Sequence, residues 1–198
     1  MKKTMVLRIA VLVLLISPQI ASAGVFTMPH FVEPDHFSLG LEPELTFTDG
    51  AGIGVNAKYF HGLSDLTNAM GVIGTGSGPK NFRIGGGVVW DFFPDIDQQP
   101  GIGLGTQAVY YRHRDFVRLE LTAIPYIHKA FKMGDSVVEP FAAFPFGLGF
   151  RSGGYDGLLS VAVGTIFGQS NQLRFVVELG VDVDHSDTYL AGGVSFSQ

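Results

Sequence analysis

The sequence contains no cysteine, which excludes disulfides, thiolate metal ligands, cysteine nucleophiles and a lipid-modified N-terminal cysteine. Charged residues are also scarce, because Asp, Glu, Lys and Arg make up only 16% of the chain while hydrophobic residues make up 46%. This balance is too apolar for a disordered chain and unusual for a soluble one. Basic residues are the rarer charge, 13 against 18 acidic, so no nucleic-acid-binding surface is expected.

The N-terminus has the layout of a secretory signal peptide. Two lysines lie near its start, residues 9–16 are an unbroken apolar run, and the small residues at 21–23 suit a cleavage site. The run is too short to cross a bilayer as a helix, and Pro18 lies two residues after its end. We therefore expect residues 1–23 to be removed during export. No later stretch approaches the roughly 18 apolar residues that a spanning helix needs.

Glycine and aromatic residues are abundant where charge is scarce. The 27 Gly, 17 Phe and 6 Tyr favour strands and turns over helices, because Gly weakens a helix interior. From residue 37 onward, apolar and polar residues alternate with period two, which is typical of β-strands with two unlike faces. The clearest stretch has charged residues at 174, 178 and 182 on one face and an apolar opposite face that consists of Leu173, Phe175, Val177, Leu179, Val181 and Val183.

This alternation predicts ten strands separated by turns rich in Gly, Asp, Asn and Ser. The expected bounds are 37–48, 52–60, 67–76, 81–93, 101–112, 116–130, 137–150, 156–168, 172–184 and 188–197. Many have the roughly 9 to 11 residues with which a tilted strand crosses a bilayer. Because bacterial single-chain barrels have even strand numbers, the predicted fold class is all-β, a closed antiparallel up-and-down transmembrane β-barrel of about ten strands, with eight or twelve as alternatives.

The barrel domain is expected to cover residues 37–198. Residues 24–36 contain two prolines and no sustained alternation, so they are predicted to be an irregular N-terminal segment. A soluble barrel would show the same alternation with its apolar face inward. The membrane is favoured because the polar faces combine few charges with many glycines, as expected of an enclosed interior, and because aromatic residues such as Trp90, Phe92 and Phe150 gather near strand ends.

With its leader, its alternating strands and Phe196 near the C-terminus, the sequence resembles the small outer-membrane β-barrel proteins of diderm (Gram-negative) bacteria, the broad OmpA/OmpX-like group. The resemblance covers about residues 37–198 and is one of pattern, without a family-specific motif. It implies a porin-like membrane protein of the bacterial cell outer membrane, with outer-membrane lipid and lipopolysaccharide as its partners. Phe196 is not the last residue, which is where that group usually has its aromatic.

Charged residues on the inward faces are predicted to form a hydrogen-bonded ion network, because an unpaired charge is costly in a narrow interior. Its expected members are Glu42, Glu44, Arg83, Arg118, Glu120, Glu139, Arg174, Glu178 and Asp182. Large side chains such as Phe60 and Phe141 also fall on inward faces, and side chains can fill the interior of a small barrel. We therefore predict a mostly occluded interior and a structural or interaction role. The alternative is a narrow channel for ions or small solutes.

Catalytic and metal-binding candidates are few. His185, Ser186 and Asp187 supply the residue types of acyl transfer, so a lipid-modifying outer-membrane enzyme is a further alternative, although adjacent residues of one turn point in different directions. Asp182, Asp184, His185 and Asp187 could hold a divalent cation through oxygen ligands, but a solvated hairpin is the favoured interpretation. We predict no enzymatic activity, no cofactor and no metal site.

Overall fold

The computed structural model describes residues 32–47, 51–77, 81–113, 116–168 and 172–198. The predicted signal peptide, 1–23, and most of the N-terminal segment 24–36 lie outside the described residues. No helix within these described ranges is long and apolar enough to cross a membrane.

The described residues form twelve β-strand segments, which are numbered here in chain order. They are β1 (Phe37–Thr46), β2 (Gly52–Ser64), β3 (Thr67–Gly76), β4 (Phe82–Phe93), β5 (Gly101–His113), β6 (Phe116–His128), β7 (Phe131–Met133), β8 (Ser136–Ala143), β9 (Phe146–Arg151), β10 (Gly154–Gly168), β11 (Leu173–Asp184) and β12 (Tyr189–Ser197). Their alternating apolar and polar residues suit strands whose two faces meet different surroundings.

These segments make a wall of ten strands. Segments β8 and β9 both pair with β6 and with β10, so together they are one strand, which is interrupted at residues 144–145. Pro145 has no N–H for a ladder bond, but its carbonyl still accepts from the Ser160 N–H at 2.9 Å. Segment β7 pairs with β8 in the same register as β6 does. It therefore continues the strand of β6 beyond residues 129–130.

The wall is closed. Neighbouring strands follow one another along the chain in antiparallel order, and the pairing of β1 with β12 joins the first strand to the last. This confirms the predicted closed antiparallel barrel of about ten strands. We call the end where β1 begins and β12 ends the termini end, and the opposite end the far end.

One predicted bound was clearly wrong. The second strand was expected to end at residue 60, but β2 continues to Ser64 and leaves only residues 65–66 as the connection to β3. Pairing with β3 persists through a register shift between Gly62 and Ser64, because a β-bulge lets the ladder absorb one extra residue.

The barrel is apolar outside and charged inside. On β11 the side chain of Val177 is 47% exposed, whereas that of its neighbour Glu178 is 1% exposed. The same contrast holds on β1 for the exposed Leu41 and the buried Glu42. This distribution is the reverse of that in a soluble barrel, where the apolar face is buried and the polar face meets water.

Candidate functional site in the barrel lumen

Charged side chains line the lumen, and almost all of them are buried. Fully or nearly fully buried among them are Glu42, Glu44, Lys58, Arg83, Asp91, Arg118, Glu120, Glu139 and Glu178. A buried charge is tolerated only when it is paired and hydrogen-bonded, so the geometry of each contact decides what the lumen can do.

The Glu44 carboxylate is the centre of the best-connected cluster. It accepts hydrogen bonds from the Asn56 amide at 3.2 Å, from the Thr46 hydroxyl at 3.1 Å and from the Arg83 guanidinium at 2.9 Å. Asn56 belongs to β2 and Arg83 to β4, while Glu44 belongs to β1. This cluster therefore connects strands that are not neighbours in the wall.

Two glycines make the span of Arg83 possible. A Cβ atom at Gly54 would lie 2.9 Å from an Arg83 guanidinium nitrogen, and one at Gly74 would lie 2.7 Å from its Nε. These glycines belong to β2 and β3, the two strands that Arg83 must cross to reach Glu44. The absence of side chains at both positions lets the guanidinium lie flat against the inner wall.

A second cluster joins Lys58 and Glu42, whose charged atoms lie 2.7 Å apart on the neighbouring strands β2 and β1.

On β11, the Glu178 carboxylate accepts a hydrogen bond from the Tyr189 hydroxyl. The Tyr189 ring covers Gly180, because a Cβ atom there would lie 2.1 Å from it. An aromatic side chain that packs over a glycine of the facing strand is a known way of filling a sheet surface.

Arg118 and Glu120 form a third cluster towards the far end. Their side chains approach to 3.1 Å and are both fully buried. Arg118 also donates to the carbonyl of His185 at 3.5 Å, which links the wall to the connection between β11 and β12. Gly149 lies beneath the guanidinium, at a position where a Cβ atom would come within 2.3 Å of it.

His128 forms a fourth cluster at the termini end, which the sequence analysis did not identify. Its Nδ1 lies 2.6 Å from Glu139, and its Nε2 lies 3.5 Å from Asp91. Period-two spacing would have revealed His128, because it lies on the same face of β6 as the predicted lumen residue Glu120. Asp91 and Glu139 come from two other strands, so their convergence on one ring depends on the folded barrel.

Arg174 and Asp182, the remaining predicted members, are half-buried on β11. Arg174 lies near the start of that strand, at the termini end. Asp182 lies near the far end, where its carboxylate accepts from the Ser186 N–H at 2.8 Å. These two residues therefore lie near opposite ends of the lumen.

The candidate metal ligands and acyl-transfer residues do not assemble into a site. Among the described residues, no group of three or more His, Asp and Glu is placed to hold a metal ion, and Asp182, Asp184, His185 and Asp187 do not form one. The His185 ring lies 2.6 Å from Asp184, while the Ser186 hydroxyl donates to the Asp184 carbonyl. Asp187 is completely buried. Adjacent residues of this connection thus point in different directions.

An apolar cluster also occupies the lumen, of which the sequence analysis identified the inward-facing Phe141 but not the other members as a group. Its buried members come from β4, β6, β8 and β10 and are Val89, Ile124, Tyr126, Phe141, Ala143, Ala162 and Ile166. Phe141 packs over Gly164, where a Cβ atom would lie 2.4 Å from the ring. In the sequence, Val89, Ile124 and Ile166 fall on otherwise polar faces, and this pattern could have revealed the cluster.

No protein-family model matches the chain, and no curated protein matches it. Among solved structures, an outer-membrane channel from Pseudomonas putida F1 is similar with a TM-score of 0.55 at 8% identity, over 88% of this chain and 100% of that chain. A de novo designed transmembrane β-barrel has a TM-score of 0.42 at 14% identity, over 85% and 100% of the two chains. The KdgM porin has a TM-score of 0.36 at 13% identity, over 80% and 98%. The chain thus has a β-barrel fold similar to that of the Pseudomonas channel.

Proposed function

We propose that this protein is an integral β-barrel of the bacterial outer membrane, exported with residues 1–23 as its signal peptide, with a mostly occluded interior and a structural or interaction role. Outer-membrane lipid and lipopolysaccharide are its proposed partners. The observation that carries this proposal is the reversed distribution of side chains, with Val177 exposed and Glu178 buried on the same strand. In water this arrangement would expose apolar surface on every strand, whereas in a bilayer it places that surface against lipid.

The backbone hydrogen bonding between the strands of the wall also suits a membrane. Closure through β1 and β12 pairs the first strand with the last, and a bilayer core offers no water to hydrogen-bond to an unpaired strand. With both termini at one end, the usual orientation of bacterial barrels places the termini end in the periplasm. In this proposed orientation the connections of residues 65–66 and 94–100 lie on the periplasmic side.

Occlusion is supported by what fills the lumen. The Arg83 side chain crosses two strands on its way to Glu44, and the apolar cluster around Phe141 fills the part of the lumen between β4 and β10. A small enclosed void of about 10 Å³ between Glu120, Thr122 and Ser186 is close to the space that one water molecule needs. Open aqueous channels belong to barrels of roughly 16 or more strands.

The charged lining and the fold shared with a channel protein make a narrow channel the second candidate. Planar-bilayer recording of the purified protein separates the two, because an occluded barrel gives no discrete openings. We expect Arg83→Ala to introduce openings by removing a side chain that extends over two strands of the inner wall, while the exposed Arg151→Ala does not. Reproducible openings of the unmodified protein would overturn the occluded interior and favour the channel.

Membrane fractionation with a heat-modifiability gel tests the location and the barrel together. We expect the protein in the outer-membrane fraction, and we expect its electrophoretic mobility to change only after boiling. Recovery in the soluble fraction would contradict the membrane placement. A phospholipid and lipid A hydrolysis assay, with Ser186→Ala as its control, addresses the enzymatic alternative, and we expect no activity that depends on Ser186.

A further inference from the structure

The residues that precede the first strand form a tight reversal. The Glu33 carbonyl accepts a hydrogen bond from the His36 N–H at 3.1 Å, which closes a four-residue turn. Pro34 is the second residue of this turn, and Asp35, the third, has a positive φ of 64°. Proline second and a left-handed residue third are the pattern of a type II turn. The turn redirects the chain, so residues 32–36 do not extend β1 in a straight line.

This segment lies on the inner side of the wall. Gly62 and Asn68 are paired residues of β2 and β3 that lie on the inward faces of those strands and are both buried. A Cβ atom at Gly62 would lie 2.1 Å from the Glu33 carbonyl oxygen and 2.6 Å from that of Val32. Because the missing side chain would point into the lumen, residues 32–33 occupy the space inside the termini end.

Hydrogen bonds hold the segment there. The Asp35 N–H donates to the Gly62 carbonyl at 3.1 Å, and the Gly62 N–H donates to the His36 carbonyl at 3.0 Å. When its amide oxygen faces the Val32 N–H, the Asn68 side chain accepts at 3.0 Å and donates to the Val32 carbonyl at 3.2 Å. The segment contributes only main-chain atoms to these bonds. Asn68 is 0% exposed and Val32 is 5% exposed, although Val32 lies outside the sheet.

We propose that residues 32–36 are an intramolecular strap, which occupies a main-chain binding site inside the periplasmic mouth of the barrel and narrows that mouth. Gly62 and the Asn68 amide are the binding site, which recognises the backbone atoms of the strap. Release of the strap frees the Asn68 amide and widens the entrance beside β2 and β3. The assignment of this mouth to the periplasm rests on the proposed outer-membrane function, whereas docking of the strap does not.

Thiol labelling tests the strap directly, because the natural chain has no cysteine. In the otherwise unchanged mature chain, purified in detergent, Val32→Cys should react with a maleimide more slowly than Glu33→Cys, whose side chain is exposed. Adding Gly62→Val should displace the strap and raise the Val32→Cys rate to that of Glu33→Cys. The matched control is Gly71→Val on β3, where the nearest heavy atom to a new Cβ lies 4.0 Å away. It should leave the slow rate unchanged.

Equal labelling of Val32→Cys and Glu33→Cys without Gly62→Val would overturn the strap, as would a slow rate that Gly62→Val leaves unchanged. A heat-modifiability gel on every variant shows whether the barrel remains folded. If the barrel is intact but position 32 labels rapidly, the strap fails while the outer-membrane proposal stands. If the chain fractionates as a soluble protein while position 32 labels slowly, the strap stands without its periplasmic location.

Discussion

Two regions of the lumen are filled by different chemistry. Where β1, β2 and β4 meet around Glu44, the side chains are ion-paired, as in the contact of Arg83 with Glu44. The cluster around Phe141 is apolar, and on β6 its members Ile124 and Tyr126 lie between the ion-paired Glu120 and His128. Both regions use the same device, because Arg83 lies over Gly74 and Phe141 lies over Gly164. Glycines on one strand make room for large side chains from another, whether those side chains are charged or aromatic.

This difference makes the charged region around Glu44 more sensitive to the loss of a single partner. An apolar side chain that loses a neighbour leaves a cavity, but a buried carboxylate that loses its cation is left uncompensated in a low-dielectric interior. The outer wall gives a third environment, in which a new charge meets lipid instead of a partner. Substitutions in these three environments should therefore differ in a defined order.

The largest effect is expected from Arg83→Met, which removes the guanidinium from its contact with the buried Glu44 carboxylate. Breaking a buried pair in this way costs about 3 to 5 kcal/mol of unfolding free energy. Denaturant unfolding, followed by the loss of heat-modifiable mobility, measures it. Arg151→Met is the matched control, because Arg151 pairs with Asp156 at 2.9 Å but its side chain is 40% exposed. Exposed pairs contribute about 0 to 1 kcal/mol, so equal losses for the two variants would contradict the buried role of Arg83.

The second-largest effect is expected from a substitution on the outer face of the wall. Val177→Arg places a charge on the lipid-facing surface and should cost about 2 to 4 kcal/mol if the residue lies at the membrane midplane. Assembly into outer membrane and unfolding in lipid both report this cost. Glu178→Gln on the inward face should impair assembly much less, because the amide oxygen can still accept from Tyr189. Equal tolerance of the two changes would show that the outward face does not meet lipid.

A smaller effect is expected when a side chain is added at Gly164, over which Phe141 packs. In Gly164→Val the new Cβ would lie 2.4 Å from the Phe141 ring and 2.6 Å from the Val177 carbonyl oxygen. Such overpacking typically costs about 1 to 3 kcal/mol. Gly157 on the same strand is the control, since nothing lies within 4 Å of a Cβ there. The unfolding midpoints of Gly164→Val and Gly157→Val should differ, and coincident midpoints would refute the packing of Phe141 over Gly164.

The smallest expected effect is that of Ile166→Val in the apolar cluster. Removing one buried methylene there should cost about 0.5 to 1.5 kcal/mol. Val181→Ala removes apolar carbon from the exposed outer face of β11 and serves as its comparison. In detergent, Ile166→Val should lower the unfolding midpoint more than Val181→Ala does. The reverse order would show that the cluster is loosely packed.

The sequence by itself determined the direction of most side chains. Period two is a property of the extended backbone, so Val177 and Glu178 must lie on opposite faces wherever the strand is placed. The same periodicity and the need for an even strand number sufficed to predict about ten strands. The lumen-facing carboxylates Glu42, Glu44 and Glu120 were likewise identified from spacing alone.

Only the tertiary structure decided which inward residues meet. Arg83 contacts Glu44 because the registers of strand pairing from β1 to β4 bring them together, and no local pattern encodes contact between residues 39 positions apart. Asp91 and Glu139 likewise converge on His128, and residues 32–36 dock against Gly62, through contacts between segments that are far apart in the sequence. Alternation assigns a residue to a face, whereas the register of the closed wall determines its height and its partners.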